Sequence, residues 1–167
     1  MAVTHSDYNE IKLDVKGRYS ELPAGAVNIE PGMLLSVVAG PPAVAGLADV
    51  PLMVVPHGAA GQRPDPSIRI ASAPYLRNQT TGGLPGNTVE DIHNLGDLLP
   101  YYAPLPEDST LAILVPGTNY TPGMPLTSNG DGRMKEATGA DEIICINREA
   151  LDLTAPGSVA LLNPVRF

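Results

Sequence analysis

The chain has no tryptophan, a single phenylalanine and a single cysteine among its 167 residues. Without Trp, and with only six Tyr, it lacks the aromatic platforms on which sugar-binding surfaces are built. A carbohydrate- or cell-surface-binding module would have to expose Tyr75, Tyr101 and Tyr102 together on one loop face. One cysteine, Cys145, forms no internal disulfide, and its place in the apolar run Ile143 to Ile146 marks it as a buried thiol. Basic residues number only ten against eighteen acidic ones, and they are scattered, so no phosphate-binding surface for nucleic acid is expected. No apolar run approaches membrane-spanning length, and the first residues carry no charged-then-apolar signal segment. The expectation is a protein made in the cytoplasm and not inserted in a membrane.

Catalytic signatures are missing as well. There is no Gly-rich phosphate loop, no dinucleotide-binding glycine pattern, no serine elbow and no His-Glu-x-x-His. His5, His57 and His93 stand far apart, so no metal-ligand spacing arises and no cofactor is expected. His57, beside small residues, reads as a hydrogen-bonded or solvent-facing residue at a strand end. The expectation is a protein that is not an enzyme.

What the chain has in excess is turn formers. Its 18 Pro and 17 Gly leave little room for long helices but follow no fixed period, so neither collagen nor disorder fits. With 43% hydrophobic residues it can build a core, and its length buries roughly two-thirds of the unfolded surface in one domain. The class that follows is all-β, a compact barrel or sandwich of about eight short strands with one short helix.

The densest turn chemistry lies between Leu111 and Gly139. A strand candidate, Leu111 to Val115, is followed by Pro116-Gly117, Pro122-Gly123 and Ser128-Asn129-Gly130-Asp131-Gly132. Asn-Gly and Asp-Gly favour a tight hairpin because type I′ turns need positive φ at both central residues. Asp131 is therefore a turn residue. The segment Ile29-Glu30-Pro31-Gly32-Met33-Leu34-Leu35-Ser36 is echoed by Tyr120-Thr121-Pro122-Gly123-Met124-Pro125-Leu126-Thr127, the prolines lying 91 positions apart (122 − 31). Pro pre-sets the first central φ of a type II turn and Gly accepts the positive φ of the second. Two matching corners that each feed a strand are expected, in pseudo-symmetric positions.

Elsewhere the pattern marks strands at Leu52 to Val55, Ser67 to Ser72, Glu142 to Asn147 and Ser158 to Asn163. Residues 98–104 read as a lead into the turn Pro106 to Ser109. The helix is expected over Asn87 to Gly96, with Asn87 as cap, Glu90 completing a capping box and Gly96 as terminator. Residues 1–16 form an N-terminal arm ahead of a single β-rich domain, 17–167. In the arm, Ile11, Leu13 and Val15 alternate with charges, the period of a half-buried strand. That strand either edges its own sheet or adds to a neighbouring subunit. Tyr8, Ile11, Leu13, Val15 and Tyr19 are the candidate contacts with a partner or a neighbouring subunit.

A family resemblance rests on these residues. The order Gly-Arg-Tyr-x-Glu-x-Pro-Ala-Gly-Ala (17–26), Pro31-Gly32-Met33-Leu34-Leu35 and His57-Gly58-Ala59-Ala60-Gly61 resembles the capsid decoration, or cement, proteins of tailed bacteriophages. Asp91-Ile92, Gly96-Asp97, Tyr102-x-Pro104-x-Pro106, Leu111 to Leu114, Pro122-Gly123 and the Ser128 to Gly132 hairpin continue it over about two-thirds of the chain. The Pro41-Pro42 linker and the 75–86 loop have no counterpart in it. The resemblance implies a β-barrel or β-tulip protein, usually a homotrimer, on the outer surface of the virion. Its partner would be the major capsid protein, whose adjacent subunits it clamps after the head expands.

Overall fold

Proline–glycine corners set where this chain reverses. In the computed structural model, which describes residues 12–14, 17–40, 52–65, 67–72, 92, 95–96 and 98–167, the two echoed corners adopt one geometry. Gly32 and Gly123 lie at φ 90° and 87°. The amides of Met33 and Met124 donate to the carbonyls of Glu30 and Thr121 at 3.2 and 3.1 Å. This is the expected type II pattern. Pro156-Gly157 repeats it, with Gly157 at φ 84° and Ser158 N–H on Ala155 O at 3.1 Å. Pro106-Glu107 does so with a glutamate at φ 74°, closed by Asp108 N–H on Leu105 O at 3.1 Å. The left-handed region costs an L side chain about 1–2 kcal/mol. Glu107 is held there because the chain end brackets it: its amide donates to Phe167 O at 2.7 Å, and Phe167 N–H donates to Asp108 O at 3.0 Å.

Between corners the described residues form strands and no helix. These are β1 (Lys12–Asp14), β2 (Arg18–Pro23), β3 (Leu35–Ala39), β4 (Leu52–Pro56), β5 (Ile70–Ala71), β6 (Leu98–Ala103) and β7 (Ser109–Leu114). They continue with β8 (Asn119–Tyr120), β9 (Pro125–Ser128), β10 (Met134–Glu136), β11 (Cys145–Asn147), β12 (Leu151–Asp152) and β13 (Leu161–Arg166). The all-β class holds. The expected helix over 87–96 lies outside the described residues except for Ile92, Leu95 and Gly96; Leu95 and Gly96 form a turn, with Gly96 at φ 83°. Residues 98–104, read as a connector, instead contain the strand β6. Pro100 sits at the margin of the β5 pairing, where its carbonyl still accepts from Ser72 N–H at 2.9 Å and its missing N–H falls at the end of the ladder and not within it.

The hairpin between β9 and β10 also differs from expectation. Positive φ falls on Gly130 (91°) and Gly132 (82°), with Asp131 between them, so the loop is longer than a two-residue type I′ turn. Asn129 N–H closes it on Arg133 O at 2.9 Å. The Ser128 hydroxyl accepts from Gly130 N–H, and the Asp131 carboxylate from Arg133 N–H, both at 3.0 Å. Asp131 is a turn residue, as its sequence context implies.

Strands β7, β13, β11, β9 and β10 close into a ring. Four neighbouring pairs are antiparallel, and the parallel contact Met134↔Leu114 completes the circle. The first half of the chain repeats this circuit. β2 pairs with β6 and β6 with β5; Leu34↔Ile70 carries β5 to the start of β3; β3 pairs with β4; and the parallel bridge Ala24↔Val54 returns β4 to β2. With β2, β3, β4, β5 and β6 standing for β7, β9, β10, β11 and β13, every pairing has its counterpart in register. Tyr19↔Tyr102 answers Ser109↔Arg166, and Leu35↔Pro56 answers Leu126↔Glu136.

The closing hydrogen bonds repeat as well. Gly25 N–H on Val54 O (2.7 Å) answers Val115 N–H on Met134 O (3.0 Å). Gly32 N–H on Ala71 O answers Gly123 N–H on Asn147 O, both 2.8 Å. Ser72 N–H on Pro100 O (2.9 Å) answers Arg148 N–H on Pro164 O (3.0 Å), so even the in-strand prolines coincide. The chain is a duplicated five-strand ring, and the echoed corners occupy the same place in each copy.

One core joins the two rings. Inside the second, Ala112, Leu114, Leu126, Met134, Cys145 and Val165 share a face with Asn147 and Asn163, and the Cys145 thiol meets Met134 Sδ at 3.3 Å. The opposite face of β7 is buried too, because the first corner packs on it: Ile113 N–H donates to Gly32 O at 3.2 Å. Leu34 N–H donates to Gly132 O at 2.6 Å and Gly132 N–H to His57 O at 3.1 Å, tying the β9–β10 loop to the first ring.

A Cβ on Gly32 would collide with Leu162 Cδ2, whereas one on Gly123 meets open space. Both substitutions to alanine therefore incur the left-handed cost, and Gly32→Ala adds about 1–3 kcal/mol of overpacking. Urea denaturation is expected to place Gly32→Ala well below Gly123→Ala in midpoint; equal midpoints would contradict the packed corner.

Candidate interaction surface

The predicted contact residues divide sharply. Tyr8, Ile11 and Val15 lie outside the described residues. Leu13 belongs to β1, which pairs antiparallel with β7 of its own chain through Lys12↔Thr110 and Asp14↔Ser109. Residues 12–14 thus form an edge strand of their own sheet, the first of the two arrangements expected. Since β13 runs along one whole side of β7, β1 and β10 share the other side at opposite ends. Tyr19 lies in β2, opposite Tyr102 on β6, so it stands in a different sheet from Leu13.

Beside Tyr19, the chain places a polar clasp that sequence reasoning missed. Asp108 is 2% exposed, and its Oδ2 accepts from the Tyr102 hydroxyl, from Gly17 N–H at 2.9 Å and from Leu105 N–H at 2.8 Å. Gly17 N–H also reaches the Tyr102 oxygen at 2.8 Å. No Cβ fits at residue 17, where it would strike Ala103 O and the Tyr102 hydroxyl. Burial, and then the hydrogen bond to Asp108, push the Tyr102 pKa well above the usual phenol range, so the hydroxyl stays a donor. The clasp joins the entry to β2, the end of β6 and the Pro106 corner. The signal in the sequence was slight: an acidic residue two places after a proline in a glycine-free turn.

The second polar arrangement centres on His57, which is 6% exposed. Its Nδ1 lies 2.6 Å from Ser36 Oγ and its Nε2 3.1 Å from Gln62 O. A carbonyl only accepts, so in the neutral ring Nε2 carries the hydrogen and Nδ1 accepts from the serine hydroxyl. The ring therefore pins β3 to the loop after β4. Both ring nitrogens are thus engaged, and the serine faces a base whose other nitrogen is committed to a backbone carbonyl. This is the hydrogen-bonded strand-end histidine expected from the sequence.

Cys145 is fully enclosed, and burial raises its thiol pKa. Among the described residues, no three His, Cys, Asp or Glu side chains gather as metal ligands. Tyr101 and Tyr102 are buried, so they offer no sugar platform.

What the described surface does expose is backbone edge and apolar side chains. Val27, Leu95 and Leu98 are each more than half exposed. Gly96 N–H donates to Ala24 O at 2.8 Å and Leu98 pairs with Pro23, which brings all three to one end of the first ring. Clustered exposed apolar residues are a contact surface more often than scattered ones.

Removing the Tyr102 hydroxyl strips a donor from a buried carboxylate. Tyr102→Phe is expected to lower stability by about 1.5–3 kcal/mol, read as a drop in urea midpoint at unchanged slope. A second prediction concerns pH. Burial pushes the Tyr120 pKa up to about 12 while its hydroxyl donates to Val115 O at 2.9 Å. The unfolded chain loses that proton near pH 10 and the folded one does not. The contribution is therefore complete below about pH 10 and falls as pH rises towards 12. Tyr120→Phe should flatten the alkaline decline by one proton's worth, measured by unfolding midpoints across that range.

No protein-family model and no curated protein matches this chain.

Proposed function

We propose that the protein is a structural component of a virion, a decoration protein that binds the outside of an expanded icosahedral phage head. It bridges adjacent major capsid protein subunits and acts as a homotrimer, without cofactor and without catalysis. The observation that carries this reading is the duplicated ring itself. Two rings with matched corners share one core, and backbone hydrogen bonds through Gly32, Leu34 and Gly132 fuse them. Such a body resists shear and transmits load between whatever its ends hold. The resemblance that runs from Gly17 to the C-terminus supports the same reading.

Binding only the expanded form would stabilise it by mass action, because each occupied site shifts the equilibrium away from the unexpanded shell. The apolar end formed by Val27, Leu95 and Leu98 is a suitable contact for a capsid subunit. Leu13 and Tyr19, with the residues around them, remain the proposed intersubunit contacts.

The test is co-sedimentation of the purified protein with expanded and unexpanded heads, followed by heating. Saturable binding to expanded heads alone, with a higher disruption temperature, is expected. Equal binding to both forms, or none to either, would refute the reading. Deleting residues 1–16 removes only the three-residue β1 from the described sheet, so the domain should stay folded while its affinity for heads drops.

A further inference from the structure

The joint between the two rings is one-sided. The first ring lends its Pro31-Gly32 corner, and the second lends the face of β7 and β13 that this corner covers. Two backbone hydrogen bonds make the joint: Ile113 N–H on Gly32 O at 3.2 Å and Leu34 N–H on Gly132 O at 2.6 Å. Apolar contact completes it, for Leu162 lies against Gly32 and is 0% exposed. The second ring does not return the contact, so each molecule carries a further copy of both halves. One is the Pro122-Gly123 corner, where Thr121, Pro122 and Gly123 are exposed and a Cβ on Gly123 would meet open space. The other is the face of β2 and β6. There Pro23 pairs with Leu98 as Ile113 pairs with Leu162, and Leu98 is 59% exposed.

A contact between two unlike surfaces, repeated from molecule to molecule, closes into an assembly or runs on as a filament. The duplicated plan offers that contact, with the Gly123 corner of one copy set on the β2–β6 face of the next. Proline stands at both places where the internal joint takes its hydrogen bonds. Pro23 occupies the position of the donor Ile113. Pro125 occupies that of the donor Leu34, since corner residues correspond at a spacing of 91 (34 + 91 = 125). Neither proline has an N–H. The same joint made between molecules would bury two carbonyls without donors, Gly123 O among them, and lose both bonds. Ring closure does not require either proline, because the other copy closes in the same register with Ile113 and Leu34. Proline at an outward pairing position is a known guard against pairing between chains.

We infer that Pro23 and Pro125 decide which copy of the corner meets which face: they keep a second copy of this chain from docking head to tail on the β2–β6 face. The joint is thereby confined to one molecule. The inference is independent of the proposed function and of any other contact between copies.

The test is sedimentation velocity on the full-length protein, without capsid, from micromolar to millimolar concentration. Salt at about 0.3 M screens the net charge of −8. The wild type is expected to show no open-ended growth with concentration. Pro23→Ile combined with Pro125→Leu installs the residues of the other ring and should add larger species that grow with concentration. Each single variant should associate about fivefold to tenfold more weakly than the double. Leu98→Asp added to the double variant should abolish the growth, because the counterpart of Leu162 then no longer suits the corner. Circular dichroism and urea midpoints identify folded variants; if the double is not folded, Pro23→Ile alone, at the last residue of β2, carries the test. Open-ended growth of the wild type, a folded variant that keeps the wild-type mass, or growth that survives Leu98→Asp would overturn the proposal.

Discussion

Everything in this protein depends on a residue that reverses the chain at positive φ and donates its amide across the ring it closes. Gly32 and Gly123 perform the two tasks at once: each is the second central residue of a type II turn, and each amide bonds the strand that the turn brings near. Because the glycine that makes the turn possible also donates the cross-ring bond, a shift of register in either ring disturbs both. The constraint is local in sequence and global in effect.

That constraint also fuses the rings. The first corner not only closes its own circuit but presents Gly32 O to Ile113 of β7 and packs its glycine face against Leu162. A side chain at position 32 would wedge the two rings apart. The second corner, whose glycine faces open space, has no such duty. The same turn chemistry therefore serves as joint between rings in one copy and as free surface in the other. Duplicated elements diverge in this way once one of them acquires a partner.

The polar groups buried near the corners follow from the same geometry. Asp108 sits where the Pro106 turn, the entry to β2 and the chain end converge, and its carboxylate gathers donors that would otherwise be unpaired. His57 does the corresponding service between β3 and the loop after β4. Both sites look chemically active as residue types, yet each is consumed in holding strands together.

The fold class and the corners are legible in the amino-acid order alone. Pro-Gly pairs, Asn-Gly and Asp-Gly, and short apolar runs act over a few residues, so Pro31-Gly32, Pro122-Gly123 and β7 were legible from local pattern alone. The echo between Ile29 to Ser36 and Tyr120 to Thr127 even hinted at repetition. Only the tertiary structure decided that the repetition extends through every strand pairing, because register is a property of partners distant in sequence, and the copies differ at most of their side chains. It alone showed that Pro100 lies inside a strand, at the margin of the β5 pairing, a place that no local signal marks. It also decided that residues 12–14 edge β7 and that Asp108 is buried. Each of these turns on what lies across a gap of tens of residues, which a single chain read in order does not reveal.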